Sequence, residues 1–311
     1  MARSRQDLAT ALSGVVGVLV TPFTSTGRIF PEALVSIVDR TVDAGVSTLT
    51  VNGNTGEFFA LSFEEAAEMC TAVSRINAGR VVLLAGVGRA APEAARLAKH
   101  ATDCGADALM IHQPVDPFRG PIGFVRYVED ILSAAPGLPA VLYLREYPGP
   151  DVLARLAELP TILGVKWAIA DLLLLAEARR IAPHWLWICG LAETWAPAMH
   201  AIGTRGFTSG LINVFPRVSV ALARALGSGA LGKAETLLKA VLPFEILRAR
   251  GRGEANVSIV KAALAARGEM VGPARPPALW PLPAEAQENL TQALAALEAV
   301  ETTLHPHAVA A

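Results

Sequence analysis

The sequence predicts an α/β barrel of eight parallel strands followed by a C-terminal helical extension. Three observations predict it. Short, continuously apolar runs alternate with amphipathic stretches along the first two thirds of the chain. Eight such runs follow one another without a long linker, the number that closes a (β/α)₈ TIM barrel. The segment Asp43-Ala-Gly-Val-Ser-Thr-Leu-Thr-Val51 is echoed by Asp103-Cys-Gly-Ala-Asp-Ala-Leu-Met-Ile111. Each reads as a helix end, a glycine just past it, then a strand, and the offset suits two βα units of about 30 residues each. The competing fold, an open doubly wound sheet, would carry G-x-G-x-x-G after its first strand, and none follows here.

The expected strands are 15–20, 48–52, 81–87, 108–112, 140–144, 162–167, 186–190 and 206–210. Unbroken apolarity suits parallel strands covered by helices on their outer side. The intervening helices fall at 31–44, 62–77, 91–104, 122–134, 150–159, 171–181 and 194–202. The first begins with Pro31, and the second opens on a capping box of Ser62 and Glu65. After Pro216 the strands stop. Helices are expected at 218–226, 230–250, 256–267 and 284–304, with a Pro-rich ordered loop at 272–283. The barrel therefore occupies residues 1–215, and residues 216–311 form an extension that packs on it.

Composition narrows the function. The 311 residues are 52% hydrophobic and 18% charged, with a formal net charge of −1. That is the balance of a folded domain with a large core, without the basic excess that attracts nucleic acid or an anionic membrane. No run reaches the roughly 18 apolar residues of a membrane span. The N-terminus lacks the order of a signal peptide. Cys70, Cys104 and Cys189 are distant in sequence and odd in number, which suits a reducing cytoplasm. No metal or cofactor is expected. The histidines form no ligand motif apart from the tail pair His305 and His307, and there is no Walker-type loop.

Active sites of barrels sit at the C-terminal ends of strands. Of the 27 basic residues only Lys99, Lys166, Lys233, Lys239 and Lys261 are lysines. Four of them fall in helix-like segments and read as solvated. Lys166 ends the sixth apolar run. Apolar surroundings strip an ammonium of hydration and favour the neutral amine that attacks a carbonyl; the plain alternative is a structural ion pair. Tyr143 ends the neighbouring fifth run, where a phenol can relay protons or simply wedge the barrel mouth. Arg145, two residues on, suits a carboxylate or a surface position. The loop Gly53-Asn54-Thr55-Gly56 after the second strand offers backbone and hydroxyl donors to a carboxylate, or is an ordinary turn. Ser209 and Asn213, after the eighth strand, are candidates for substrate contacts or for helix capping.

With these motifs in order, the chain resembles the dihydrodipicolinate synthase / N-acetylneuraminate lyase superfamily over nearly its whole length. The carrying stretches are Val-Thr-Pro-Phe (20–23), Gly-Asn-Thr-Gly-Glu (53–57), Ala-Gly-Val-Gly (85–88), Tyr143, Gly-Val-Lys (164–166) and Gly-x-x-Gly (203–206). The resemblance implies a (β/α)₈ barrel enzyme, a homo-oligomer (dimer or tetramer), acting on a small 2-keto acid. It also implies a Schiff-base lysine at Lys166, a proton-shuttling tyrosine at Tyr143 and a carboxylate loop at Thr55. Within the superfamily the chain is most similar to the 5-dehydro-4-deoxyglucarate dehydratase branch. It shares Thr-Gly-Glu-Phe-Phe-Ala-Leu-Ser (55–62), Tyr-x-Arg (143–145), Ser-Gly-Leu-Ile-Asn-Val-Phe-Pro (209–216), Val-Ser-Ile-Val-Lys-Ala (257–262) and Gly-Pro-x-Arg-Pro-Pro (272–277). That branch implies dehydration and decarboxylation to 2,5-dioxopentanoate. Alternatives are a dihydrodipicolinate synthase, a pyruvate-dependent keto-sugar-acid aldolase, and a weakened barrel with a binding or regulatory role. Leu144, Glu146, Tyr147 and Trp167 depart from the branch, and Leu144 and Trp167 imply a narrower, less polar site.

Overall fold

Eight parallel strands pair in sequence order and β8 returns to β1, closing the barrel. They are β1 (Val15–Val18), β2 (Thr48–Val51), β3 (Val82–Val87), β4 (Ala108–His112), β5 (Ala140–Leu144), β6 (Ile162–Trp167), β7 (Leu186–Cys189) and β8 (Gly206–Ser209). Every expected strand is found, with ends shifted by no more than a residue or two. The computed structural model describes residues 3–304, so the histidine pair 305 and 307 lies outside the described residues.

The helices are α1 (Arg5–Leu12), α2 (Leu34–Asp43), α3 (Phe63–Asn77), α4 (Ala91–Asp103), α5 (Pro121–Ala134), α6 (Pro150–Ala157), α7 (Leu172–Ile181) and α8 (Ala192–Ile202) around the barrel, then α9 (Pro216–Gly227), α10 (Leu231–Gly253), α11 (Asn256–Ala266) and α12 (Ala284–Thr303) beyond it. The capping box of Ser62 and Glu65 opens α3. Gly45 and Gly105, the paired glycines of the internal echo, have φ of +95° and +79°, a region that β-carbons disfavour.

Two apolar cores follow from strand alternation. Outward side chains pack under the helices in one large cluster. Inward side chains, among them Val16, Leu84, Met110, Val141 and Ile188, fill the barrel together with Leu8 and Leu12 of α1. Helix α1 is absent from the sequence-based expectation. It is held by a capping box of Ser4 and Asp7, and its two leucines at i, i+4 plug the bottom of the barrel.

One expectation is corrected here, and two features were not foreseen. Lys261 is not solvated: it is fully buried on α11, with Nζ 2.5 Å from Glu57 Oε1 and 2.9 Å from the Pro273 carbonyl. Cys70 and Cys104, distant in sequence, bring their sulfurs to 3.0 Å, both as free thiols. The α10 backbone breaks at Arg250 to Arg252, where Gly251 and Arg252 have φ of +56° and +61°. That break turns the chain over the barrel mouth. Among the described residues no helix is long and apolar enough to cross a membrane.

Candidate active site

Parallel register sets the centre of the site. Tyr143 on β5 stands directly opposite Lys166 on β6, and His112 on β4 opposite Tyr143. All three side chains therefore share the inner face near the strand ends. Lys166 and Tyr143 border a cavity of about 470 Å³, lined also by Asn54, Thr55, Arg145 and Thr208 among others, with His112 behind the tyrosine.

Lys166 is 4% exposed and makes no salt bridge among the described residues. Its Nζ lies 3.9 Å from the centre of the Tyr143 ring. Burial lowers its pKa from the ordinary lysine value to about 7, with Cys189 opposing and Arg145 adding to the shift. A large fraction of this amine is thus neutral near pH 7. The other buried lysine, Lys261, is paired with Glu57. Only Lys166 among the two has a nucleophile's surroundings.

Tyr143 is buried, which raises its pKa above that of a free phenol. Asn54 Nδ2 donates to its hydroxyl at 2.9 Å. The hydroxyl hydrogen is then available to another acceptor. Behind the ring, His112 meets Tyr143 edge-on at 5.3 Å and stacks on Phe58 at 4.6 Å. Burial drives His112 down to about 3, so it is neutral and its Nε2 is bonded to the Asn52 carbonyl. It serves as packing that fixes the phenol.

The loop after β2 divides its labour. Asn54 and Thr55 line the cavity, whereas Gly53 and Gly56 do not. A β-carbon on Gly53 would stand 2.5 Å from Val18 Cγ1. The Gly53 carbonyl accepts from the Gly56 amide, and the Gly56 carbonyl from Thr21 Oγ1. The two glycines shape the turn that presents the polar pair. Glu57 closes the loop in a left-handed conformation, its carboxylate pinned by Lys261 and by the Arg275 amide at 2.6 Å. The motifs at 257–262 and 272–277 thus act on the loop from a distance.

Ser209 and Asn213 do not reach the cavity. Side chains alternate, so Thr208 faces inward and Ser209 outward, where its hydroxyl donates to Glu193 at 2.5 Å and its oxygen accepts from the Ile212 amide. Asn213 is wholly enclosed, accepting from the Val20 amide and donating to the carbonyls of Val18 and Gly210. Both staple the end of the barrel seam. Thr208 and Gly210 take the places expected of them. The same alternation removes Leu144 and Trp167 from the site. Both are buried in the outer core, Trp167 against Tyr147 and Trp187, and neither narrows the cavity. Arg145 is exposed at the mouth and borders the cavity, while neighbouring Glu146 is taken by Arg119.

Sequence reasoning missed the far wall, which comes from outside the barrel: Glu245, Arg248 and Arg252 of α10 and Asn256 of α11. The available signal was Glu245 and Arg248 at i, i+3 in the apolar run Leu-Pro-Phe-Glu-Ile-Leu-Arg. Among the described residues no three His, Cys, Asp or Glu side chains gather as a metal site.

Comparison with known proteins gives the family and agrees with the barrel fold. Residues 11–297 match the Dihydrodipicolinate synthetase family. A Streptomyces coelicolor protein named "probable 5-dehydro-4-deoxyglucarate dehydratase 1" is 33% identical over 300 residues, 93% of each chain. A 4-hydroxy-tetrahydrodipicolinate synthase from Exiguobacterium is 32% identical over 91% of this chain and 97% of its own. The crystal structure of dihydrodipicolinate synthase from Oceanobacillus iheyensis superposes with a TM-score of 0.90 at 36% identity, covering 95% of this chain and all of that one. The chain belongs to the dihydrodipicolinate synthetase family of lyases.

Proposed function

We propose that this protein is a Schiff-base lyase acting on a 2-keto acid, and that its substrate is 5-dehydro-4-deoxyglucarate, converted to 2,5-dioxopentanoate with loss of water and carbon dioxide. The observation that carries the reading is Lys166, a buried amine with no salt bridge among the described residues and a pKa near 7, against the Tyr143 ring. Its lone pair attacks the keto carbon, water leaves, and the resulting cationic imine withdraws electrons from the adjacent carbon. Tyr143 moves the protons of these steps, its hydroxyl oriented by Asn54. The amides of Asn54 and Thr55 and the Thr55 hydroxyl receive the carboxylate beside the keto group, on the turn built by Gly53 and Gly56. Arg145 takes the distal carboxylate of a sugar diacid. No cofactor enters this scheme. The 1–215 barrel supplies the reacting groups, and the 216–311 extension supplies the far wall.

Similarity to dihydrodipicolinate synthases supports a second reading, condensation or aldol cleavage through the same imine. Turnover on keto-deoxy sugar diacids, against pyruvate plus an aldehyde, separates the two. The imine itself is tested by borohydride with pyruvate: a reduced adduct is expected on Lys166, and an adduct that persists in Lys166→Ala overturns the assignment.

We further infer a homo-oligomer. Val115 and Phe118, between β4 and α5, and Ile122, in the first turn of α5, are all exposed, apolar surface suited to burial against a second copy. Its free cysteines suit the cytoplasm.

A further inference from the structure

We propose that Arg248 is a substrate-binding residue, holding the keto-acid carboxylate jointly with the loop at Asn54 and Thr55. The inference rests on the lysine chemistry proposed above. Arg248 is carried by α10, outside the barrel, yet it lines the cavity of Lys166 and is only 3% exposed. A buried guanidinium needs partners that fix it. Glu245, nearly one turn back on the same helix, accepts from Nη1, and Asn256 Oδ1 on α11 accepts from Nη2 at 3.0 Å. A guanidinium has five N–H donors. These contacts occupy one on each terminal nitrogen, and Nε is buried without a partner among the described residues.

The position of the fork is set by Gly210. A β-carbon there would stand 2.5 Å from Arg248 Nη2 and 3.1 Å from Thr55 Oγ1. The missing side chain lets guanidinium and hydroxyl approach the same point above the end of β8. Asn54 and Thr55 both line the cavity, and their amides donate no hydrogen bond within the described residues. Two amides, a hydroxyl and a pre-oriented cation therefore gather at one end of the cavity. That donor set fits an acceptor-only, doubly oxygenated anion, which is a carboxylate. Glu245 fixes the plane of the fork and balances its charge while the site is empty; the incoming carboxylate engages the donors that remain.

This role differs from that of Arg145. Arg145 stands at the exposed mouth and bears on substrates with a second carboxylate. Arg248 bears on the carboxylate that every 2-keto acid carries. The test is borohydride trapping on the full-length protein with pyruvate and, separately, with its uncharged methyl ester. Arg248→Gln should raise the half-saturating pyruvate concentration by about 10- to 150-fold, the range for a hydrogen bond to a charged group. Trapping by the ester should change less than about threefold. A purely structural role would depress both. Should Arg248→Gln fail to fold, Arg248→Lys carries the test, because it keeps stem and charge but loses the fork. It should still weaken pyruvate by at least about threefold and leave the ester unaffected. Equal losses for acid and ester, or no loss for pyruvate, overturn the proposal. No adduct on Lys166 in the unaltered protein would overturn the lysine chemistry beneath it.

Discussion

Lys166 and Tyr143 are cross-strand partners on β6 and β5, and the lysine nitrogen lies 3.9 Å from the centre of the tyrosine ring. The ring covers one side of the buried ammonium, and burial brings titration of the lysine into the range where adduct formation is measured.

With a lysine pKa near 7, the rate of adduct formation should climb with pH up to about 7 and level above it. An unperturbed lysine would still be climbing at pH 9. Stability should carry the opposite cost. Between about pH 7 and the ordinary lysine value the unfolded chain holds a proton that the native chain lacks, so stability rises with pH there. The penalty is fully present below pH 7 and is relieved as pH rises. Lys166→Met should therefore be more stable than the unaltered protein in urea at pH 6, by a margin that shrinks by up to about 1.4 kcal/mol per pH unit above 7. A margin independent of pH would contradict the depressed pKa.

Tyr143→Phe keeps the ring that packs on His112 and Lys166 and removes only the hydroxyl held by Asn54. It should retain the fold and lower turnover of the true substrate by about 10²- to 10⁴-fold, the usual range for a general acid–base group. An unchanged rate would end the proton-relay role.

Arg145→Ala should lower kcat/KM for a sugar diacid by about 10- to 150-fold, since a charge-assisted contact contributes roughly 1.5–3 kcal/mol. Pyruvate trapping should hardly change. Equal effects on diacid and monoacid would return Arg145 to the surface and reopen the substrate class.

The Glu57–Lys261 pair is buried at both ends. Removing one partner of such a pair costs about 3–5 kcal/mol, because the other charge is left unsatisfied. Lys261→Met should show a loss of that order in urea unfolding. The double variant Glu57→Gln/Lys261→Met should recover part of it. A double variant as unstable as the sum of the singles would mean that the two residues act independently.

The barrel was legible because the strands are short apolar runs, some bounded by polar residues, as Thr48–Val51 is by Ser47 and Asn52. The centre of the site was legible because Lys166 and Tyr143 end such runs. What escaped was set by alternation or by long-range docking. Ser209 and Asn213 fall in the right loop but on the wrong side of it. Trp167 and Leu144 differ from the related branch at positions that face the outer core. Helix α1 was hidden by its polar composition, although Leu8 and Leu12 at i, i+4 were a sign. Lys261 could have been read better: α11 buries Val257, Ser258, Ile259, Val260, Ala263 and Leu264, and a lysine amid such a helix must find a counter-charge. Arg248 and Glu245 at i, i+3 in an apolar run signalled a buried pair, but not its place, because only the turn of α10 over the mouth brings Arg248 to Thr55.

The bond between Glu57 and Lys261 has a bearing on exchange of parts between homologues. The loop after β2 looks like a self-contained insert, bounded by glycines and easily transplanted. Its last residue is nevertheless tied to a helix some 200 residues later. A graft of this loop into a barrel lacking the matching lysine would import an uncompensated carboxylate, and a graft of the extension alone would import the amine. Loop and helix are transferable only as a pair.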